Sequence, residues 1–403
     1  MVDVVNEGIK IDRYKTSPRK PDFADRALDD ALEKISANLE LFTDIFPDDT
    51  TIENRYYPRK PEKAGQVRGG NFGWTTSFWT GMIWLAYEVT GEEKYKKAAD
   101  IHVNSFYDRI VKKIDCEHHD LGFLYTLSCV SGYKLTGNQK AKEAALMAAD
   151  HLMTRYFEKA GIIQAWGDLS DPNQRGRIII DCLMNLPLLY WASEETGNPR
   201  YKEAAEKHAK NAYQWIVRED ASTYHTYFFD TETGEAKFGK THQGYRDDSC
   251  WARGQAWGIY GFPLSYKYTS EKAFIAMTEK LAHYFLNRTP ADGVVYWDLA
   301  FTDGSGEEKD SSSTAIAACG LHELAKYTED PGLKNYYGQA AACMLRDLYE
   351  GYSTKDLPES NALLLHGVYA KPEGLGVDEA CLWGDYYYME GLVRLKKDWD
   401  LYW

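Results

Sequence analysis

The chain has 403 residues, 44% of them hydrophobic, which is enough for a large core and too apolar for general disorder. A net charge of −14 with no basic stripe argues against a nucleic-acid partner, and an anionic ligand would need local cations. No apolar run approaches the ~20 residues of a membrane helix, and the start MVDVVNEGIKIDRYKTSPRK has no apolar signal region, so neither membrane nor export is expected.

In chain order, residues 1–20 read as an N-terminal extension, followed by a helix over FADRALDDALEKISANLELF (23–42). FWTGMIWLAYEV (78–89) is apolar nearly all round and leads into VTGEEKYKKAAD (89–100). The pair recurs as LGFLYTLSCVSGYKL (121–135) with LTGNQKAKEAALMAAD (135–150), and as DCLMNLPLLYWASEE (181–195) with ETGNPRYKEAAEKHAK (195–210). Looser copies are RGQAWGIYGFPLSYKY (253–268) with YTSEKAFIAMTEKLA (268–282), and SSTAIAACGLHELAKY (312–327) with YTEDPGLKNYYGQAA (327–341). WGDYYYMEGLVRL (383–395) ends the series. In each pair a Thr-Gly or similar breaker stops one helix and a short turn opens an Ala-rich amphipathic one.

Helices apolar on every face are buried. Six of them, most with an amphipathic partner, predict an all-α (α/α)6 barrel: six inner helices wrapped by six outer ones, in one domain over residues 21–403. Two stretches break the rhythm. TYHTYFFDTETGEAKFGKTHQGY (223–245) reads as a small β-hairpin insertion, and VYWDLAFTDGSGEEKDSSS (295–313) as a long loop.

In such a barrel the N-terminal ends of the inner helices gather at one mouth. There the sequence places Asn71 and Trp74, then His119 and Asp120, then Asp181 after the apolar run RIIID. Asp247, Asp248, Arg253 and Trp257 follow, then Asp310 with Ser311–Ser313, and finally Trp383 and Asp385. N-capping explains some of the acids but neither the Trp residues nor Arg253. Asp120 either caps the second inner helix or presents its carboxylate to a ligand. An apolar surround would raise the pKa of Asp181, as a general acid requires; the alternative is a buried Asp tied to backbone amides. Pro187 means this helix is kinked or starts after Asp181. Arg253 is expected to pair with Asp247 or Asp248. His225 and Gln243 sit on the hairpin limbs, which would either bring them together at the mouth or form an ordinary surface hairpin. The 12 Trp and 30 Tyr lean toward a sugar or other ring-shaped ligand.

CEHHDLGF (116–123) invites a zinc reading, but Cys116, His118 and His119 lack the spacing that puts ligands on one helix face, and no metal or other cofactor is expected. Asp120 is the candidate there, with His119 beside it; Cys116 and His118 read as bystanders. No dinucleotide, P-loop or GxSxG motif occurs. Seven scattered Cys without a CxxC pair read as reduced thiols of a cytoplasmic protein. Nothing in the sequence specifies an oligomeric state.

The blocks NFGWTTSFWTGMIWLAYE, HHDLGFLY, GRIIIDCLMNLPLLYWASEETGN, HQGYRDDSCWARGQAWGIYG and WGDYYYMEGL, in this order, resemble the unsaturated glucuronyl hydrolases of glycoside hydrolase family 88. The resemblance implies an (α/α)6 barrel acting on unsaturated disaccharides left by polysaccharide lyases. It implies hydration of the 4,5 double bond of a terminal hexuronic acid, with no metal or cofactor. Asp181 would be the acid/base and Asp120 the second essential carboxylate. Trp74, Trp166 and Trp257 would form stacking walls. His119, His225, Gln243, Arg253 and Tyr369 would contact the uronic acid or the water. Members that favour sulfated products resemble each other in an Arg on the hairpin limb and a Ser- and Lys-containing loop near the C terminus. Here the limb carries His242 and the loop reads HGVYAKPEGLG (366–376), which implies a preference for unsulfated substrates. Other readings are an unsaturated rhamnogalacturonyl hydrolase, another inverting glycosidase on this barrel, and a non-catalytic sugar-binding barrel, against which retention of both acids argues.

Overall fold

The computed structural model describes residues 3–15 and 23–403. Its six inner helices are Thr76–Thr90, the second from Leu121–Tyr125 through a π-helical stretch Thr126–Val130 to Ser131–Thr136, Leu186–Thr196, Ala252–Thr269, Ser311–Tyr327 and Leu382–Lys396. The six outer helices are Ala24–Phe42, Glu93–Val111, Gln139–Met153, Pro199–Asn211, Lys272–Leu286 and Pro331–Tyr352. Each inner helix packs on the next, the sixth packs back on the first, and Ala24–Phe42 covers the sixth, so the ring closes as the pattern implied.

The repeated phrase has a stereochemical cause. Gly91, Gly137 and Gly197 end the first three inner helices in the left-handed conformation, at φ 71°, 70° and 70°, where a side chain is strained. Ser270 does the same in the fourth repeat at φ 58°. Two residues on, or one, a polar side chain caps the outer helix: Asn138, Asn198, Glu271 and Asp330 each accept a backbone N–H.

Residues 3–15 pack on the barrel: Tyr14 is buried, and Asn6 accepts from His283 on the fifth outer helix. The expected boundary at residues 20 and 21 falls outside the described residues. The closed end of the ring is filled by Trp403, stacked on Tyr387 at 6.1 Å, with Nε1 donating to Glu390 at 2.9 Å. Glu390 and Glu323 in turn hold the buried Arg394. Among the described residues no helix is long and apolar enough to cross a membrane.

The open end carries the β structure. The expected hairpin forms as Thr226–Phe229 and Ala236–Lys240, but a third strand, Arg177–Ile179, joins its free edge. Two further hairpins, Tyr156–Phe157 with Ile162–Ile163 and Gly367–Ala370 with Leu375–Glu379, lie outside the expected insertion.

Candidate active site

Asp181 does not stand on an α-helix. The short strand Arg177–Ile179 passes into a 3-10 turn, Ile180–Met184, and the third inner helix starts only at Leu186, with Pro187 in its first turn where proline is tolerated. This settles the choice between a kinked and a late-starting helix. Its neighbours Ile179, Ile180 and Cys182 are buried, and Asp181 Oδ1 has no hydrogen-bond partner among the described residues. Burial, with the Asp120 charge nearby, therefore pushes the Asp181 carboxyl well above the usual carboxylate range.

Asp120 occupies the N-cap position of the second inner helix, yet its side chain makes no cap bond. Burial raises its pKa, but His119, His118 and Asn185 outweigh that, and the net shift is downward. His118 is thus no bystander: its Nε2 donates to Asp115 O at 3.0 Å, and its Nδ1 lies 3.1 Å from Asp120 Oδ2. Cys116 is one, a buried thiol turned to backbone carbonyls.

His119 Nε2 stands 3.4 Å from Asp120 Oδ1 and 3.5 Å from Asp181 Oδ1, and the three ligand atoms lie within 4.8 Å of one another. Burial lowers the His119 pKa to about 4, so the ring is neutral near pH 7. These three are the residues that could close on a cation among those described.

Around this centre Trp74, Trp166, Ile179, Gln243, Trp251, Arg253, Trp257, Tyr369 and Glu373 are among the residues lining a cavity of about 170 Å³. That is below the ~300–1,000 Å³ of sites for larger ligands and suits a single terminal ring. Trp74 Nε1 donates to Tyr369 Oη at 2.9 Å. Trp257 is fully buried against Phe123, while Trp166 is half-buried with the Arg177 guanidinium 4.6 Å over its ring.

Several expectations need correction. Arg253 pairs with neither Asp247 nor Asp248. It lies 3.1 Å from Asp310, donates to Val368 O and Tyr369 O, and is sandwiched between Trp251 and Trp383. Asp247 instead accepts the Thr241 N–H, and Asp248 pairs with Arg246 at the surface. His225 does not line the cavity. Its Nε2 donates to Gln243 Oε1 at 3.1 Å and its Nδ1 faces the Thr226 hydroxyl at 2.6 Å, so it acts from behind the wall by fixing Gln243. Asp310 caps the fifth inner helix, and Asp385 accepts the Leu363 and Leu364 N–H groups. Neither reaches the cavity.

The sequence reading missed Trp251, Arg177 and Glu373. Trp251 directly precedes the fourth inner helix, a position that could have been flagged from WARGQAW. Glu373 lies at the mouth beside His242, 3.2 Å away, and nothing in its local sequence marks it.

The model of Glycosyl Hydrolase Family 88 matches residues 51–396. An unsaturated chondroitin disaccharide hydrolase of Streptococcus pyogenes serotype M1 is 49% identical over 380 residues, 94% of this chain and 92% of its own. The crystal structure of an unsaturated glucuronyl hydrolase from Streptococcus agalactiae is 46% identical, covers 99% of both chains and superposes with a TM-score of 0.93. An Asp-to-Asn variant of the Streptococcus agalactiae hydrolase, complexed with dGlcA-GalNAc6S, is 44% identical over 99% of both chains with a TM-score of 0.86.

Proposed function

The chain belongs to glycosyl hydrolase family 88, and on that premise we propose that it removes the 4,5-unsaturated hexuronic acid from glycosaminoglycan disaccharides, with Asp181 as acid/base and Asp120 as its partner. The observation that carries the reading is the pair of unlike carboxyls in one small cavity: Asp181 pushed up and Asp120 held down. Environments that split two acids in this way assign one to proton donation and leave the other ionised.

The chemistry follows from the substrate. An enol ether is electron-rich at C4, so the Asp181 carboxylic acid gives its proton there and positive charge develops at C5, shared with the ring oxygen. Water adds to C5, and the Asp181 carboxylate takes the proton the water loses. The hemiketal then opens: the C5–O5 bond breaks to leave a ketone, and the hemiacetal formed at C1 releases the second sugar. A neutral Asp181 also avoids repelling the substrate carboxylate, which matters because Arg253 is already balanced by Asp310. In this reading Asp120 holds ring hydroxyls, Trp74 and Trp257 stack on the ring, and Trp166 meets the second sugar.

An inverting glycosidase needs its carboxyl groups ~6.5–9.5 Å apart to admit a water between them. One oxygen of each acid lies within 4.8 Å of the other, so the inverting reading is left to the test below. At the mouth Glu373 presents an acid, and Lys371 is held by Glu308, which supports a preference for an unsulfated second sugar. Cys116, Cys129, Cys182, Cys250, Cys319 and Cys381 are free, buried thiols, in keeping with a cytoplasmic location. The test is incubation with an unsaturated hyaluronan or chondroitin disaccharide while following the ultraviolet absorbance of the conjugated double bond. Loss of absorbance that vanishes in Asp181→Asn is expected. Cleavage of a saturated glycoside alone would overturn the reading, and binding without turnover would make the barrel a lectin-like module.

A further inference from the structure

Asp120 poses a stereochemical question. It stands at the N-cap of a helix, where an Asp side chain ordinarily accepts the N–H two or three residues on, and it makes no such bond. The first N–H groups of a helix have no partner within it, and leaving one buried without an acceptor is costly. The Phe123 N–H, third after the cap and buried, is such a group.

Its partner comes from the neighbouring element. Asn185 Oδ1, 62 residues on, accepts the Phe123 N–H at 2.7 Å. Because that donor fixes which amide atom faces the helix, Nδ2 points the other way. It lies 3.4 Å from Asp181 O, and the amide is among the polar groups that lower the Asp120 pKa. Asn185 is itself buried and directly follows the 3-10 turn that carries Asp181. One side chain therefore touches the element of each acid.

The two chains meet closely enough for this only because residue 122 has no side chain. A Cβ added at Gly122 would lie 2.2 Å from Asn185 Cα and 2.4 Å from its carbonyl oxygen, both backbone atoms that cannot step aside. The Gly-Phe of HDLGF and the Asn of DCLMN are the two halves of one contact.

We propose that Asn185 is a positioning residue that caps the second inner helix in place of Asp120, releasing the Asp120 carboxylate to face the cavity while its amide holds that carboxylate in register with Asp181. The inference rests on the roles proposed for the two acids, so its test includes readouts that need no turnover. Asn185→Asp keeps an acceptor for Phe123 but loses the donor and adds an acid beside Asp120; Asn185→Ala loses both.

In hydrogen exchange the Phe123 amide should stay protected in Asn185→Asp and lose protection in Asn185→Ala. The Asp120 carboxyl, followed by carbon-13 NMR, should titrate about one pH unit higher or more in both variants. With the disaccharide, kcat/KM of Asn185→Asp should fall about tenfold or more, with its acidic limb moved to higher pH, and adding Asn185→Asp to Asp120→Asn should cost little further. An unmoved Asp120 titration, or Phe123 protection that survives Asn185→Ala, would overturn the proposal whether or not the disaccharide is the substrate. A wild-type enzyme inert toward the disaccharide, with both NMR results as expected, would instead retire the functional reading and leave the cap standing.

Discussion

One carboxyl oxygen of Asp120 and one of Asp181 lie within 4.8 Å of each other, with His119 Nε2 at 3.4 and 3.5 Å from the two. The two acids do not share their surroundings. Asp181 sits on a turn walled by isoleucines, whereas Asp120 is held by imidazole and amide groups.

The environments set a pH profile. Asp181, raised, is protonated until pH climbs through its folded pKa, so kcat/KM should fall as pH rises past that point. Asp120, lowered, is ionised until pH drops through its own, so the acidic limb belongs to it. Asp120→Asn should remove the acidic limb from whatever activity remains, and Asp181→Asn should cost about 100- to 10,000-fold at the optimum. A basic limb that persists unchanged in a rescued Asp181 variant would contradict the assignment.

The same shift predicts a stability gain. Folded Asp181 keeps its proton at pH values where the unfolded chain, with a carboxyl pKa of about 3.9, has lost it. Its contribution to stability is therefore lost as pH rises from near 4 through the folded pKa. Asp181→Asn removes that loss and should melt about 1–3 °C above wild type at pH 7 and no higher than wild type near pH 4, read by calorimetry.

The aromatic walls should separate by burial. Trp166 is half-buried, so Trp166→Ala should raise KM about tenfold with a small change in melting temperature. Trp257 and Trp403 are buried, so Ala at either should cost about 3–5 kcal/mol of stability in denaturant unfolding. For Trp403 the turnover of the folded fraction should stay near wild type, because it packs at the closed end.

Specificity at the mouth is testable through one exposed acid. Glu373→Lys should raise the ratio of kcat/KM for a 6-sulfated over an unsulfated chondroitin disaccharide about 3- to 10-fold, most at low salt. A wild-type enzyme that already prefers the 6-sulfated disaccharide would contradict the unsulfated preference.

How much of this could be read from the sequence depended on the range of the interactions. Helix breakers are local, so Thr-Gly at 90–91, 136–137 and 196–197 marked the repeat and hence the barrel. The apolar run before Asp181 correctly announced its low-polarity surround. What escaped was long-range. Arg253 found Asp310, 57 positions away, over nearer acids, and Gln243 is anchored on Tyr369 O, 126 positions away. Strand Arg177–Ile179 is too short for a period-two signal and exists because the hairpin edge beside it needs a partner. Asp120 could not be sorted between cap and ligand, since the side chain that relieves it of capping lies 65 positions on, at Asn185.

The most direct test of the central claim is turnover of an unsaturated disaccharide in heavy water, with mass spectrometry and NMR of the released uronic-acid product. Hydration driven by Asp181 predicts one deuterium at C4, appearing as the ultraviolet absorbance falls, and neither change with Asp181→Asn. Release of the second sugar with C4 unlabelled and the double bond intact would contradict it.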